Sequence, residues 1–369
     1  MGDVNAGREP LISREPTISG AREPLLSVRN LKTYFLQDEG LVRAVDGVSF
    51  ELYPGVTLGV VGESGCGKSI TARSILRIVD RPGRIVEGEI HFRRPAANGG
   101  GGQVVDLVKL APDSQEMRSI RGAEIALIFQ EPMSSFSPVH SVGNQIIEAI
   151  RLHQPVGRQE ARAKTIEMLR RVGVSSPEQR VDQLAGQLSG GLRQRAMIAM
   201  ALSCQPTLLI ADEPTTALDV TTQTQILELM RQLQQEDGMA IMLITHDLGV
   251  VAEMATDVAV MYLGRVVEQG PVDAIFHSPR HPYTRALLRS IPRIRARTRE
   301  RLTPIAGSVP HPYDRPTGCP FHPRCPEAVD LCRTDDVALR DCESHRHRAA
   351  CVHVGTGGTV GNEARGSLA

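Results

Sequence analysis

The spacing of hydrophobic residues changes repeatedly along the chain, and each change predicts a different element. Residues 26–34 and 44–52 alternate between apolar and polar side chains, as half-buried strands do. Shorter segments are apolar throughout, which is typical of strands covered on both faces. These segments are residues 56–61, 125–129, 208–211 and 240–245.

Helical spacing occurs between these predicted strands. Ile226, Leu229, Met230 and Leu233 recur every three or four residues, and Gly238 suits the end of that helix. Residues 68–78 and most of 141–171 also predict helix. Strands alternating with helices predict an α/β domain with a largely parallel sheet. We also expect an antiparallel β portion and a helical subdomain inserted at about residues 131–195.

Composition narrows the function. The 369 residues, 41% of them hydrophobic, allow a sizeable core, and 42 basic residues balance 42 acidic ones. No net charge therefore attracts nucleic acid, and we expect no nucleic-acid partner. No apolar run approaches the roughly 18 residues of a membrane span, and the polar N-terminus does not look like a signal peptide. We expect the chain to act in the cytoplasm or at the cytoplasmic face of a membrane.

Both ends of the chain predict disorder. The N-terminal arm, residues 1–25, repeats an Arg-Glu-Pro triplet whose proline and alternating charge oppose a packed helix. Residues 355–369 are rich in glycine and polar residues and are expected to be equally loose. The glycine run at residues 99–102 suits a surface loop between two strands.

A glycine-rich turn at residues 62–69 has the phosphate-loop pattern, with a predicted strand before it and a predicted helix after it. Its backbone N–H groups can converge on phosphate oxygens, and the helix N-terminus adds positive potential. We expect Lys68 to reach the β- and γ-phosphates of ATP and Ser69 to supply a hydroxyl to Mg²⁺. The residues expected to hold the nucleotide here are Gly62, Glu63, Ser64, Gly65, Cys66, Gly67, Lys68, Ser69 and Ile70.

Two carboxylates follow the apolar run at residues 208–211. Asp212 is placed to hold Mg²⁺, and Glu213 to polarise the attacking water as a general base. His246, after the next apolar run, is placed to contact the γ-phosphate and position that water. A solvated strand end and a structural histidine are the alternatives. The buried strand before the pair and the order of the residues along the chain favour catalysis.

This ordered set resembles the ATP-binding subunits of ABC transporters over about residues 26–270. Residues 188–195, Leu-Ser-Gly-Gly-Leu-Arg-Gln-Arg, match the family's signature element, with Leu192 where glutamine or methionine is usual. The resemblance implies the P-loop ATPase fold of the family and an ATP-dependent activity. It adds to the expected site Gln130, Ser189, Gly190, Gly191, Asp219 and Phe35.

The resemblance gives these added residues roles. Gln130 would approach Mg²⁺ and the water and would couple the site to a membrane partner, and Asp219 belongs to the D-loop. Phe35, with Tyr34 as the alternative, falls where an aromatic ring stacks on adenine, although either ring also suits core packing. The helix starting near Ser189 would point its positive end at a γ-phosphate held by a second subunit, so that ATP joins two protomers.

Cys66 allows two interpretations. At a helix N-terminus its thiol pKa is expected to fall, which would make it reactive. The alternative, which we favour, is a small side chain that never reacts.

Five of the seven cysteines lie near the C-terminus: Cys319, Cys325, Cys332, Cys342 and Cys351. A cytoplasmic chain seldom holds disulfides, so a metal site is favoured, although the spacing lacks the paired cysteines of common zinc sites. A separate small module is expected to begin at about His281, where the chain becomes rich in proline and cysteine.

This module resembles the C-terminal extension of oligopeptide and dipeptide importer ATPases. The likeness rests on residues 281–288, His-Pro-Tyr-Thr-Arg-Ala-Leu-Leu, on residues 290–292, and on residues 318–326. It implies a [4Fe–4S] cluster held by Cys319, Cys325, Cys332 and Cys351, with Cys342 outside the pattern. A mixed zinc site and a fold without metal remain open, because four histidines lie nearby: His322, His345, His347 and His353.

Together these resemblances predict four parts: the arm at 1–25, an ABC ATPase domain at 26–278, the extension at 279–354 and the tail at 355–369. The predicted function is the ATPase of a peptide importer that works with two permease subunits, a second and preferably different ATPase subunit and, indirectly, an extracytoplasmic substrate-binding protein. The alternatives are a non-transport ABC ATPase, an importer of nickel or another small solute, and a generic ATPase with a metal-sensing module.

Overall fold

The computed structural model describes residues 23–94, 102–130, 135–216, 218–290, 305–342 and 346–354. The bounds of the strands are β1 (Leu26–Gln37), β2 (Gly40–Leu52), β3 (Thr57–Val61), β4 (Gly83–Arg93), β5 (Val104–Asp106), β6 (Ile125–Ile128), β7 (Leu208–Asp212), β8 (Ala240–Ile244), β9 (Asp257–Tyr262), β10 (Arg265–Pro271), β11 (Arg340–Asp341) and β12 (Arg348–Ala349). The bounds of the α-helices are α1 (Lys68–Ile75), α2 (Gln115–Ile120), α3 (Val142–His153), α4 (Arg158–Arg171), α5 (Pro177–Arg180), α6 (Gly190–Leu202), α7 (Val220–Asp237), α8 (Leu248–Met254), α9 (Val272–His277), α10 (Pro282–Arg289) and α11 (Leu331–Thr334).

The described strands form two sheets. The smaller is antiparallel, with the order β2-β1-β4-β5, and the larger has the order β11-β12-β10-β9-β3-β8-β7-β6. From β9 to β6 the neighbouring strands of the larger sheet are parallel, whereas β10, β12 and β11 are added antiparallel. This confirms the predicted α/β fold with a parallel centre and an antiparallel β portion.

The central strands are buried on both faces, as their continuous apolar runs predict. In β7, Leu208 and Ile210 pack with the smaller sheet, whereas Leu209 and Ala211 pack in the core formed by the helices. Helices α3, α4 and α6 contribute to that helical core, in agreement with a helical subdomain.

Several predicted boundaries differ from the structure. Helix α1 ends at Ile75 rather than near residue 78, because the backbone of Arg77 takes a positive φ of 56°. Gly238 ends α7 in the left-handed conformation, as predicted. Residues 1–22, most of the 99–102 run and residues 355–369 lie outside the described residues.

The extension is not separate in its packing. Its strand β12 pairs with β10, so the C-terminal residues add two short strands to the main sheet. Tyr283 and Phe321 share one hydrophobic cluster with Val61 and Tyr262 of the central strands. Among the helices in the described ranges, none is long and apolar enough to cross a membrane.

Candidate functional site

The phosphate loop joins the end of β3 to the start of α1, as its sequence predicts. Two of its glycines are required by close backbone contacts. A Cβ atom on Gly62 would lie 2.2 Å from the carbonyl oxygen of Met261, and one on Gly67 would lie 2.2 Å from that of Ala44. Both glycines also have positive φ angles, 152° and 97°. The loop is therefore shaped by its neighbours on β9 and β2.

Lys68 begins α1 and is 6% exposed. Its Nζ donates hydrogen bonds to the carbonyl oxygens of Gly62, at 2.9 Å, and Glu63, at 3.1 Å. The ammonium group thus lies inside the curve of the loop, where a phosphate oxygen could replace these carbonyls as its partner.

Ser69 and Asp212 meet although 143 residues separate them. The Ser69 hydroxyl donates to Asp212 Oδ1 at 3.0 Å, because β7 ends beside the first turn of α1. Burial raises the pKa of Asp212, and the charge of Glu213 adds to that effect against the Ser69 hydrogen bond. A carboxylate oxygen beside a hydroxyl oxygen is a pair of donors of the kind that Mg²⁺ prefers.

Three polar side chains converge on the carboxylate of Glu213, two of them from distant segments of the chain. Gln130 Nε2 donates to its Oε2 at 2.9 Å, and Thr216 Oγ1 donates to the same oxygen at 2.9 Å. His246 Nδ1 lies 3.1 Å from Oε1. Burial acts to raise the pKa of Glu213, but these hydrogen bonds and the charges of His246 and Lys68 outweigh it and lower the pKa. The side chain is 16% exposed, whereas that of His246 is 65% exposed.

The parallel pairing of β7 with β8 explains why these residues converge. Asp212 is in register with Ile244, and the N–H of Glu213 donates to the Ile244 carbonyl at 2.8 Å. The carboxyl ends of the two strands therefore lie side by side, which brings His246 to Glu213. Glu213 itself has a φ of 49°, a strained value for this residue type.

The signature element starts a helix, as expected. Ser189 is the N-cap of α6, and its Oγ accepts the N–H of Leu192 at 3.4 Å. Gly191 lies against α7, where an added Cβ would meet the Thr222 side chain at 3.0 Å. Asp219 caps α7, accepting the Thr222 N–H at 2.9 Å and the Thr222 hydroxyl at 2.8 Å. Ala217, within the D-loop, lies outside the described part of the chain. Ser189, Gly190 and Asp219 are exposed, and no hydrogen bond or ion pair between the described residues joins them to the phosphate loop.

The two aromatic candidates have different surroundings. Phe35 pairs with Gly83 across β1 and β4, and its ring fills the space that a Cβ on Gly83 would take. Tyr34 donates its hydroxyl to Asp46 at 2.5 Å, and the Arg43 guanidinium lies 5.8 Å from its ring centre. Neither residue is fully buried.

The reactive interpretation of Cys66 does not agree with its surroundings. The residue is 4% exposed, and burial raises the pKa of its thiol despite the nearby Lys68. This is the direction expected of an inert, buried cysteine.

Four C-terminal cysteines line one small cavity: Cys319, Cys325, Cys332 and Cys351. They come from a turn, a short 3-10 segment, α11 and the chain after β12, and no disulfide joins them. Burial raises the thiol pKa values of Cys319 and Cys351, and that of Cys325 to about 11. Over the described ranges, no group of three or more His, Cys, Asp or Glu side chains has an arrangement that could hold a metal ion.

The other cysteine and histidine side chains considered as metal ligands differ in their distance from this cavity. His322 and His353 line the same cavity, whereas Cys342 does not line it and packs beside Cys351. His347 is engaged elsewhere, since its Nε2 lies 2.7 Å from a buried carboxylate oxygen of Glu268. His345 lies outside the residues described.

Sequence reasoning missed two residues that contact the phosphate loop. Tyr283 accepts the backbone N–H of Glu63 at 2.9 Å through its hydroxyl, and Arg324 forms an ion pair with the Glu63 carboxylate at 2.7 Å. Both belong to motifs that the sequence had shown, residues 281–288 and 318–326, but no local pattern reveals a contact across 220 or 261 residues.

A phosphate loop between a strand and a helix, with carboxylates at the end of a nearby strand, defines the site of a P-loop nucleoside triphosphatase. Two family models match the chain: the ABC transporter model over residues 45–216, and the oligopeptide/dipeptide transporter C-terminal region over residues 267–332.

Individual relatives agree. The chain is 49% identical to the dipeptide transport ATP-binding protein DppD of Escherichia coli (strain K12), over 85% of this chain and 92% of that protein. It is 50% identical to a probable peptide ABC transporter ATP-binding protein of Sinorhizobium fredii, over 89% and 94% of the two chains. A solved dimeric structure of MJ0796, a bacterial ABC transporter cassette, superposes with a TM-score of 0.57 at 25% identity, over 67% of this chain and 98% of that chain. The chain belongs to the ATP-binding proteins of the ABC transporter family, and it is an ATPase.

Proposed function

We propose that this protein hydrolyses ATP to drive the import of peptides of the dipeptide and oligopeptide class through a separate membrane permease. The names of the relatives and the match to the oligopeptide/dipeptide transporter C-terminal region support the substrate class. One observation carries the chemistry: Gln130, Thr216 and His246 converge on Glu213 beside the Ser69–Asp212 pair.

Residues 62–70 would surround the triphosphate and offer it the backbone N–H groups of the loop, apart from that of Glu63, which donates to Tyr283. Lys68 would exchange its loop carbonyls for phosphate oxygens. Phe35 would stack on the adenine, because Tyr34 is already engaged with Asp46. Ser69 and Asp212, with Gln130 close by, would hold Mg²⁺, which neutralises phosphate charge when it is bound.

Glu213 would act as the general base for the attacking water, because its hydrogen bonds hold it ionised and oriented. The side chain of His246 is far more exposed than that of Glu213, and it would contact the γ-phosphate. Gln130, which contacts Glu213, would report on the nucleotide to the membrane partner.

The second half of the site would come from another ATPase subunit. Ser189, Gly190, Gly191 and Asp219 would face the triphosphate held by that subunit, with the positive end of α6 at the γ-phosphate. The exposure of Ser189 and Gly190 supports this arrangement, as does the dimeric form of the MJ0796 cassette. We favour a different ATPase chain over a second copy of this one.

The remaining partners follow from the transport function. Two permease subunits would receive the residues after Gln130, and an extracytoplasmic binding protein would deliver the peptide. The chain would therefore lie at the cytoplasmic face of the cell membrane. In this proposal residues 26–278 form the ATPase domain and residues 279–354 the extension, with an arm at 1–25 and a tail at 355–369.

We further propose that Cys319, Cys325, Cys332 and Cys351 hold a [4Fe–4S] cluster with a structural role. The donor set fits in kind, since four thiols line one cavity and thiolates are the usual ligands. The raised thiol pKa values of Cys319, Cys325 and Cys351 indicate that these groups need a bound cation to become thiolates at neutral pH.

Anaerobic purification tests the cluster directly. We expect iron and acid-labile sulfide in the wild-type protein, lost in Cys332→Ser but retained in Cys342→Ser. A protein that contains zinc, or no metal, would overturn the assignment.

Transport itself is tested by isolating the membrane complex that contains this chain and reconstituting it in vesicles with the ATPase subunits on the inside. ATP inside the vesicles should then support dipeptide uptake. Lys68→Ala should abolish both nucleotide binding and uptake. Uptake of nickel without peptide, or a complex without a permease, would contradict the proposed substrate or the proposed class of function.

A further inference from the structure

Glu63 occupies an unusual place in the phosphate loop, because all of its polar groups are engaged. Its carbonyl accepts a hydrogen bond from Lys68 at 3.1 Å. Its backbone N–H donates to the Tyr283 hydroxyl at 2.9 Å, and its carboxylate pairs with Arg324. The lysine expected to bind phosphate and two residues of the extension therefore meet on one loop residue.

The Arg324 contact is bidentate and mostly buried. Its two terminal nitrogens reach the two carboxylate oxygens of Glu63 at 2.7 and 3.1 Å. The side chain of Arg324 is 4% exposed and that of Glu63 is 25% exposed. The guanidinium is fixed further by the carbonyl of Ala306 at 3.1 Å and the hydroxyl of Tyr262 at 3.2 Å. Such a pair loses far more when one partner is removed than a solvent-exposed pair does.

Tyr283 is held as firmly. It is fully buried, and its ring packs against Tyr262 at 4.7 Å and Phe321 at 5.3 Å between ring centres. Its own backbone N–H donates to Nδ1 of His281, which caps helix α10. The hydroxyl therefore has little freedom, and it keeps the N–H of Glu63 turned toward the extension.

We infer that Arg324 and Tyr283 are positioning residues for the phosphate loop, and that the C-terminal extension thereby sets the affinity of the site for ATP. The inference rests on the proposed use of residues 62–70 in nucleotide binding and deepens it. The two side chains fix the backbone of Glu63 from outside the loop, so the loop keeps the curve in which Lys68 lies before the nucleotide binds. Without them the loop has to be ordered by the nucleotide, and that ordering lowers the affinity.

The test compares variants on the two sides of this contact in the full-length chain. Tyr283→Phe removes only the hydroxyl, and we expect ATP affinity to fall by about 3- to 10-fold, as for a lost hydrogen bond. Arg324→Gln leaves Glu63 without its cation, and we expect a loss of about 10- to 100-fold. Both should raise KM for ATP more than they lower kcat. Arg324→Lys should recover part of the affinity, because it restores the charge but not the bidentate geometry.

The matched control is Arg285→Gln. Arg285 pairs with Glu327 at 2.5 Å within the same extension, and among the described residues it makes no hydrogen bond or ion pair with the loop. We expect this variant to keep wild-type ATP affinity. Thermal unfolding of every variant identifies any that merely fail to fold, and Tyr283→Phe, which keeps the packed ring, remains informative in that case.

The double variant Glu63→Gln/Arg324→Gln and its two single variants form a double-mutant cycle. If the two residues act through each other, the fold-loss of ATP affinity in the double variant should be smaller than the product of the two single fold-losses. Wild-type ATP affinity in Tyr283→Phe and Arg324→Gln, with loss of binding in Lys68→Ala, would overturn the positioning role alone. Normal binding in Lys68→Ala would instead remove the proposed nucleotide site.

Discussion

The carboxylate site and the cysteine cavity lie in the same chain but are built in different ways. The carboxylates occupy the ends of parallel strands, and hydrogen bonds from Ser69, Gln130 and Thr216 satisfy them without any ligand. The thiols lie on turns and very short helices, and burial raises the pKa of Cys325 to about 11. The first site therefore has its hydrogen-bond partners within the protein, whereas burial disfavours the ionised form of the thiols in the second.

The largest expected effect is the loss of ATP hydrolysis when the base of the carboxylate site is removed. Glu213→Gln keeps the shape and the hydrogen-bonding partners but removes the base, so ATP turnover should fall by about 10²- to 10⁴-fold. ATP binding should be retained, because the phosphate contacts are unchanged. Steady-state hydrolysis and nucleotide binding measure the two effects separately, and turnover near the wild-type rate would remove Glu213 as the base.

The next largest expected effect is a loss of stability at low pH that depends on His281, which lines the cysteine cavity. Burial lowers the pKa of His281 to about 4 from an ordinary 6.5, so the folded protein holds its neutral form. The stability from this neutral histidine is complete above about pH 6.5 and is lost as the pH falls toward 4. The loss is up to about 3 kcal/mol of unfolding free energy.

The neighbouring Glu268 acts in the same direction. Burial acts to raise its pKa, but hydrogen bonds from His347 and from the backbone N–H groups of Arg280 and His281 outweigh it and lower the pKa. Denaturant unfolding between pH 7 and pH 4 measures the loss. His281→Asn keeps an N-cap acceptor without a titrating group and should flatten the curve above pH 5. An equally steep loss in this variant would show that His281 is not responsible.

A smaller effect is expected from the removal of one hydrogen bond to Glu213 in the carboxylate site. Thr216→Val replaces a hydroxyl donor by a methyl group of similar size, so Glu213 keeps Gln130 and His246 alone. Hydrolysis should slow by about 10-fold, with ATP affinity unchanged, as expected for one hydrogen bond to a charged group. Unchanged kcat would mean that the threonine does not orient the base.

The smallest expected effect comes from a helix cap outside the carboxylate site and the cysteine cavity, and it serves as a control for both. Ser141 caps α3 in the helical subdomain by accepting the Asn144 N–H at 3.2 Å, and it belongs to neither site. Ser141→Ala should cost about 1 kcal/mol of stability and leave the ATPase rate and iron content unchanged. A change in the ATPase rate or in the iron content would show that the helical subdomain influences the sites more directly than its contacts indicate.

The sequence predicted the parts of this molecule that follow from local pattern. Strand β7 and its two carboxylates were found because a buried parallel strand must be apolar and must end at the sheet edge. The phosphate loop was found for a similar reason, since its glycines are fixed by contacts that no Cβ atom could make.

The parts that were not predicted depend on contacts between distant segments. Strand β12 is two residues long and pairs with β10 some eighty positions earlier, so it has no periodicity to detect. The Glu63–Arg324 pair spans 261 residues, and single charges give no signal of their partners. The four cysteines were grouped through family resemblance, and their shared cavity appears only in the fold.

We propose that the Ser189 helix of a second subunit completes the ATP site. The most direct measurement is the specific ATPase rate against protein concentration, for the chain alone and with its companion ATPase, in wild type and Ser189→Arg. We predict that the rate per chain rises as subunits associate and that Ser189→Arg abolishes this rise. A constant, full rate in a monomer that is indifferent to Ser189→Arg would contradict the account.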